Sequence, residues 1–255
     1  MNTIYQELIQ KSSNGIKSFA VLLDPDKLDD VTFDIILSLS VEHHVDYFFL
    51  GGSLLSKYNL PEIVARIKLK TNIPVILFPG GYLQVEPTAD AILLLSLISG
   101  RNADFLIGQH VIAAPIIKQS KLEVLPTGYM LVDCGKQTTA SYISNTTPLP
   151  YDKPSIAAST AMAGEMLGLK LMYLDGGSGA HEPIHTDMIA LVKKAVSCPV
   201  IVGGGLNTPA KAIAALEAGA DIVVVGTGIE KSIALLAEVG QHVSALNGQK
   251  SSYKQ

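Results

Sequence analysis

Eight apolar runs recur along the chain, and each stops at a glycine, proline, aspartate or serine. Residues 19–23 (FAVLL) stop at Asp24-Pro-Asp26, 47–50 (YFFL) at Gly51-Gly-Ser53, and 74–78 (PVILF) at Pro79-Gly-Gly81. Residues 91–95 (AILLL) stop at Ser96, 128–132 (GYMLV) at Asp133, and 171–174 (LMYL) at Asp175-Gly-Gly177. The last two, 199–202 (PVIV) and 221–225 (DIVVV), stop at Gly203-Gly-Gly205 and Gly226-Thr-Gly228. Runs that are apolar throughout, without polar alternation, mark strands buried on both faces, hence a parallel sheet. Most are followed by a helical stretch, and eight such units predict one (β/α)8 barrel domain over residues 1–255. An open doubly wound sheet would not require eight evenly spaced units.

One interval breaks the repeat. Residues 80–90 carry Gly80, Gly81 and Pro87 and are too few for a crossover helix, so a loop or lid is expected after the third strand. Elsewhere the punctuation is regular: Asn207-Thr208-Pro209 reads as a capped helix start, and Gly219 as its stop. The tail from residue 249 reads as frayed.

Composition limits the function classes. The chain is 48% hydrophobic and 16% charged, and its mean hydropathy is +0.33. Its most apolar stretch, residues 91–98, is too short to cross a bilayer, and the first residues lack the features of a leader. A cytoplasmic protein with an apolar pocket is the expectation. Cys134 and Cys198 stand in apolar strand-like contexts and read as buried thiols. Net charge is −4 with no basic run, which argues against nucleic acid. The only arginines are Arg66 and Arg101, so an anionic ligand must be held by backbone amides or a metal.

Strand C-termini of a barrel face its active mouth. They carry Asp24, Asp26, Ser53, Asp133, Asp175, Ser178, residues 203–205 and residues 226–228. Two glycine-rich turns at the seventh and eighth strands, beside Asp175-Gly-Gly-Ser-Gly179 at the sixth, predict a phosphate site, because glycine lets amides approach an anion closely. Asp24 with the Ser53 hydroxyl fits a hard cation such as Mg²⁺ shared with substrate phosphate; Asp24 and Asp26 fit equally well as turn or helix caps. His181 and His185 have a metal-pair spacing, but Pro183 between them favours a loop or helix start. His110 suits either the mouth or a helix cap, Lys27 an anion or solvent, and His43 and His44 the end of the first helix. The absence of a lysine at any strand end counts against a sugar-phosphate aldolase, the nearest alternative enzyme class.

Leu22-Leu-Asp-Pro-Asp-Lys27, Gly51-Gly-Ser53, Tyr173-Leu-Asp-Gly-Gly-Ser-Gly179, Gly203-Gly-Gly205 and Gly226-Thr227, in this order, resemble the geranylgeranylglyceryl phosphate synthase family, which includes the bacterial PcrB-type heptaprenylglyceryl phosphate synthases. The resemblance runs from Phe19 to Lys231, and Gly108-Gln-His-Val-Ile-Ala-Ala-Pro115 is similar to the branch shared by archaeal and Bacteroidetes-like members. It implies transfer of a long prenyl group, geranylgeranyl by expectation, from a polyprenyl diphosphate to the C3 hydroxyl of sn-glycerol 1-phosphate, assisted by Mg²⁺. By the same resemblance Asp24 and Ser53 would hold Mg²⁺. Tyr173, Leu174, Asp175, Gly176, Gly177, Ser178, Gly179, Gly204, Gly205, Gly226 and Thr227 would hold glycerol phosphate, with Asp175 and Tyr173 catalytic. Many relatives have Glu at the Asp175 position. The resemblance also implies a homo-oligomer, and the lipid product a transient contact with a membrane.

Overall fold

The eight apolar runs become strands of a closed parallel barrel: β1 (Ser18–Leu23), β2 (Tyr47–Leu50), β3 (Val75–Leu77), β4 (Ala91–Leu97), β5 (Glu123–Leu131), β6 (Leu171–Asp175), β7 (Val200–Gly203) and β8 (Ile222–Val225). They pair in chain order, and β8 returns to β1 with Phe19 opposite Val223. This computed structural model describes residues 3–252, with side chains described to residue 248. The continuous apolar runs divide by alternation into two cores. Ala20, Tyr47, Phe49, Ile76, Leu93, Leu125, Ile201 and Val224 fill the barrel interior. Phe19, Val21, Leu23, Phe48, Leu50, Val200 and Val202 face outward under the helices. Strand residues buried on both faces carry no polar side, which is why the runs lack alternation.

The outer layer comprises α2 (Asp30–Glu42), α3 (Leu60–Lys70), α4 (Gln109–Ser120), α6 (Pro154–Met166), α7 (Thr186–Ala195), α8 (Pro209–Glu217) and α10 (Ala234–Ser252). A π-helical turn, Asp104–Gly108, leads into α4. Short helices α5 (Thr139–Ser144) and α9 (Thr227–Lys231) stand on the loops after β5 and β8. As the sequence predicts, Thr208 caps α8 by accepting from the Lys211 amide, with Pro209 in the first turn. No helix forms between β3 and β4. That loop is pinned to the neighbouring turn after β2: the Gly80 amide donates to Gln84 Oε1 at 3.1 Å, and Gln84 Nε2 donates to the Gly52 carbonyl at 3.0 Å.

Several expectations need correction. An unforeseen helix, α1 (Ile4–Ser13), precedes β1, so His43 and His44 close the second helix, not the first. Helix α1 seals the N-terminal end of the barrel. Leu8 enters the inner core, and Glu123 accepts from the Ile4 and Tyr5 amides at 2.8 Å each. Strand β5 begins at Glu123, ahead of the expected Gly128, and its early residues pair with β4 from Ala91 onward. Helix α10 continues to Ser252, so the tail expected to fray from residue 249 is helical that far; the rest of that expectation, residues 253–255, lies outside the described residues.

Candidate active site

A cavity of about 330 Å³ opens at the C-terminal ends of the strands. With α1 closing the opposite end, this is the barrel's one open mouth among the described residues. Its wall has two unlike halves.

The polar half comes from the turns after β6, β7 and β8 and from the ends of β1 and β2. Gly204 has φ +80°, and a Cβ there would stand 2.6 Å from the amide nitrogens of both Gly176 and Gly177. The β6 and β7 turns therefore press backbone to backbone, and only glycine permits both that approach and the left-handed conformation. Across the gap, the Ser178 and Thr227 hydroxyls meet at 3.0 Å, joining the β6 and β8 turns. Thr227 opens α9, and the first amides of a helix have no partner within it. Helix-start amides and hydroxyls of this kind hold phosphate-sized anions, whereas the Gly176 and Gly177 amides are taken up by the Gly203 carbonyl and Asp175.

Asp175 ends β6 at the centre of the mouth and is buried. One carboxylate oxygen accepts from the Gly177 amide at 2.7 Å, and the other from the Tyr129 hydroxyl in a short hydrogen bond. Burial raises the Asp175 carboxyl above the ordinary carboxylate range, and those two donors oppose the shift. Burial, reinforced by the Asp175 charge, also holds the Tyr129 and Tyr173 phenols far above the usual tyrosine range. Both phenols stay protonated, so Tyr129 is a donor to Asp175. The Tyr173 ring stacks on Phe78 with centroids 5.3 Å apart and meets Tyr129 edge-on at 5.4 Å. This aromatic floor fixes Asp175 from below. Gly203 leaves room for it, since a Cβ there would stand 2.6 Å from the Tyr173 hydroxyl.

Asp24 and Ser53 line the same cavity, as Asp24 follows β1 and Ser53 follows β2. The Asp24 carboxylate leans on the turn that carries Ser53: a Cβ on Gly52 would lie 3.4 Å from Asp24 Oδ1. Among the described residues no group of three or more His, Cys, Asp or Glu side chains could cage a metal. A carboxylate and a hydroxyl on neighbouring turns suit a hard cation that takes its remaining oxygens from water and phosphate, as Mg²⁺ does. Asp24 also caps its own turn, as Oδ1 accepts from the Asp26 amide at 3.2 Å.

The apolar half is built by Leu93, Leu95 and Leu97 of β4, Phe105 of the π-turn, Ala113 and Ile117 of α4, Leu131 of β5, and Ala140 and Ile143 of α5. The missing crossover helix leaves β4 uncovered here: Leu94, Leu95 and Ser96 are only partly buried inside an otherwise buried strand.

The sequence-predicted residues mostly converge. Asp24, Ser53, Tyr173, Asp175, Gly177, Ser178, Gly179, Gly204, Gly205, Gly226 and Thr227 all line the cavity. Leu174 does not, because strand alternation sends its side chain into the outer core. Gly176 also lies outside the lining: its Cβ direction faces Cys134 Sγ at 3.0 Å. Asp26 and Asp133 are exposed turn residues, accepting from the Ser56 amide at 2.6 Å and the Gly135 amide at 3.2 Å. Both cysteines are buried free thiols, and burial pushes each up to about 12. His185 caps α7 by accepting from the Asp187 amide, and His181 is an exposed loop residue, so they are not a metal pair. His110 sits in the first turn of α4 on the cavity wall, with Nε2 3.3 Å from the Ser96 hydroxyl, and burial lowers its pKa. Tyr129, Phe78 and Glu230 were not anticipated. Tyr129 alone left a signal, as the one polar-tipped side chain in the run 128–132.

The PcrB family model matches residues 12–242. A geranylgeranylglyceryl phosphate synthase of Spirosoma linguale is 59% identical over 92% of this chain and 94% of its own length. One from Chitinophaga pinensis is 52% identical over 96% and 97%. The crystal structure of (S)-3-O-geranylgeranylglyceryl phosphate synthase from Thermoplasma acidophilum, in complex with its substrate sn-glycerol-1-phosphate, superposes with a TM-score of 0.89. It is 31% identical and covers 95% of this chain and 99% of that one.

Proposed function

The chain belongs to the PcrB family, and from that membership we infer that it is a prenyltransferase, a geranylgeranylglyceryl phosphate synthase. It transfers a geranylgeranyl group from its diphosphate to the C3 hydroxyl of sn-glycerol 1-phosphate, forming an ether and releasing diphosphate. The observation that carries this reading is the cavity itself: a buried carboxyl, Asp175, stands where a glycine-walled polar half meets an apolar half.

The turns at Gly204-Gly205 and Gly226-Thr227, with Ser178, hold the phosphate end of glycerol phosphate. Pinning that end converts the attack into a reaction between neighbours. Asp175 accepts the proton as the C–O bond forms, and the Tyr129 hydroxyl and Gly177 amide aim its oxygens. Tyr173 supports the site from the floor through its stacking on Phe78. Asp24 and Ser53 would hold Mg²⁺, which would supply charge neutralisation for the leaving diphosphate. The apolar half takes the isoprenoid, each buried methylene contributing about 0.8 kcal/mol.

One barrel domain suffices for this chemistry, since every proposed group lines one cavity. Among the described residues no helix is long and apolar enough to cross a membrane, in keeping with a cytoplasmic enzyme that meets the bilayer only transiently. Ile107, Val111, Ile112 and Ile116 leave an apolar face exposed on and before α4; such a face suits contact between subunits of a homo-oligomer, which light scattering of Val111→Glu against the parent tests.

The reaction is tested by incubating purified protein with Mg²⁺, each glycerol phosphate enantiomer, and C15, C20 and C35 diphosphates. With phosphate pinned, only the sn-1 enantiomer presents its primary hydroxyl both to the allylic carbon of the diphosphate and to Asp175. A lost hydrogen bond to a charged group costs about 1.5–3 kcal/mol, so a preference of roughly ten- to a hundredfold is expected. Equal use of both enantiomers would overturn the geometry, and a C35 preference would reassign the donor.

A further inference from the structure

Lys27 is a cavity residue with no role in the reaction as described. Its ammonium lies 2.9 Å from Asp24 Oδ2 and 3.5 Å from Glu230 Oε2. Asp24 is the proposed metal carboxylate, and Glu230 belongs to α9, directly after the Gly226-Thr227 turn. All three side chains line the cavity. One cation thus sits between two carboxylates, nearer the one that a metal would need. Lys27 is held there from both ends: its own amide closes the turn on the Asp24 carbonyl at 3.0 Å, while its side chain, 45% exposed, keeps room to swing.

We propose that Lys27 is a displaceable internal cation: it occupies Asp24 in the ligand-free enzyme and passes to Glu230 when a divalent ion takes that carboxylate. The inference rests on the assignment of Asp24 to the metal. An ammonium and a divalent ion bonded to one carboxylate repel each other, so the ion must remove Lys27 to bind. Glu230 supplies the second berth. It draws Lys27 to the β8 side of the mouth, where the ammonium adds positive charge beside the phosphate turn. The arrangement keeps metal affinity low until substrate phosphate arrives with its own negative charge, and it ties metal entry to an attractive change at the phosphate site.

The test is Mn²⁺ binding to the substrate-free protein, read by electron paramagnetic resonance of the free ion. Lys27→Met should tighten Mn²⁺ binding about tenfold, the loss of one charged hydrogen-bonding competitor. Glu230→Gln should weaken it several-fold by confining Lys27 to Asp24, and this weakening should shrink in the Lys27→Met background. Lys231→Met removes the same charge from the same cavity and should have a much smaller effect than Lys27→Met. Equal tightening by the two lysine variants would reduce Lys27 to general electrostatics and overturn the proposal. Unchanged or weaker binding in Lys27→Met would also overturn it. Asp24→Asn separates the premise from the inference: if it leaves Mn²⁺ affinity unchanged, the metal lies elsewhere and both fall. If it abolishes binding while Lys27→Met does nothing, only the displaceable cation is lost.

Discussion

The two halves of the cavity are made by opposite means. The polar half is local: short turns after β6, β7 and β8 carry their own amides and hydroxyls, and their glycines are fixed by contacts such as Gly204 against the Gly176 and Gly177 amides. The apolar half is made by omission. Where the chain lacks a helix between β3 and β4, strand β4 is left partly bare, and the π-turn, α4 and α5 roof it at a distance. Charge and geometry are thus concentrated in one half, and volume and apolar surface in the other. Substitutions in the first should act on chemistry, and substitutions in the second on donor affinity.

The largest break in that division is expected at Asp24. Asp24→Asn should lower kcat about a thousandfold, the several kcal/mol a Lewis acid supplies to a leaving group, with the fold unchanged and with EDTA reproducing the loss in the parent. Retained activity with unaltered Mg²⁺ dependence would remove the metal from β1. Asp175→Asn should cost at least about a hundredfold, the lower range for a general base. Its pH behaviour has a definite sign. Burial raises the Asp175 carboxyl in the folded chain, so the folded protein keeps this proton where the unfolded chain has lost it. Stability from this site is therefore greatest at low pH and declines as pH rises from the ordinary carboxylate range through the raised value. The Asn variant should melt near the parent at acid pH and above it at neutral pH, and the parent's kcat should fall on the acid side. A variant that melts lower at neutral pH would mean that Asp175 is held chiefly as a structural acceptor.

Next in size is Gly204→Val. The side chain would meet two backbone amides and force a φ of +80° on a branched residue, a strain of roughly 1–3 kcal/mol. Lower melting temperature should accompany a KM for glycerol phosphate raised at least about tenfold, with KM for the prenyl donor nearly unchanged. The reverse ranking of the two KM values would exchange the substrate halves. Tyr129→Phe is milder. Removing the hydroxyl that donates to Asp175 takes away a bond that holds its pKa down, so the acid limb of kcat should move to higher pH. An unmoved limb would detach the phenol from the base.

The two halves differ just as much in how far the sequence reveals them. The barrel was legible because burial on both faces writes itself as unbroken apolar runs, and the gap at residues 80–90 was legible as a count. The polar half was legible because a turn needing glycine and a strand-end carboxylate announces itself within a few residues, as at 175–179 and 203–205. What a motif does not encode is orientation: Leu174 and Gly176 belong to the segment but turn away from the cavity lining. Asp26 accepts a backbone amide, as one of its two sequence readings allowed, and Asp133 accepts one in its own loop, since a strand-end position does not aim a side chain inward. Tyr129 depends on pairing across strands, opposite Tyr173 in the β5–β6 register, and Glu230 on barrel closure, which sets α9 beside Lys27 after β1. Helix α1 was missed because its apolar face is thin, with Leu8 its one buried side chain. The apolar half was nearly silent, because leucines and isoleucines that line a groove look like those that fill a core.

That half therefore invites the smallest and most specific test, at Ile117. This residue is 7% exposed, on the inner face of α4, where it both packs against the outer core and lines the cavity. Ile117→Ala removes apolar surface from the far side of the groove without approaching Asp24, Asp175 or the glycine turns. If the isoprenoid lies here, the donor loses contact with about one to two methylene equivalents, near 0.8 kcal/mol each, and its KM should rise roughly four- to fifteenfold. KM for glycerol phosphate and kcat at saturating donor should stay within about twofold, because neither the phosphate turns nor the base has moved. A C15 donor, with one isoprene unit fewer, discriminates further: should its KM be less affected than that of the C20 donor, Ile117 contacts the tail and not the allylic end. A stability loss is also expected, since the same truncation leaves a cavity in the core, so the kinetics must be run well below the lowered melting temperature. An equal rise of KM for both substrates would mean that the mouth behaves as one site, and the division into two halves would fail.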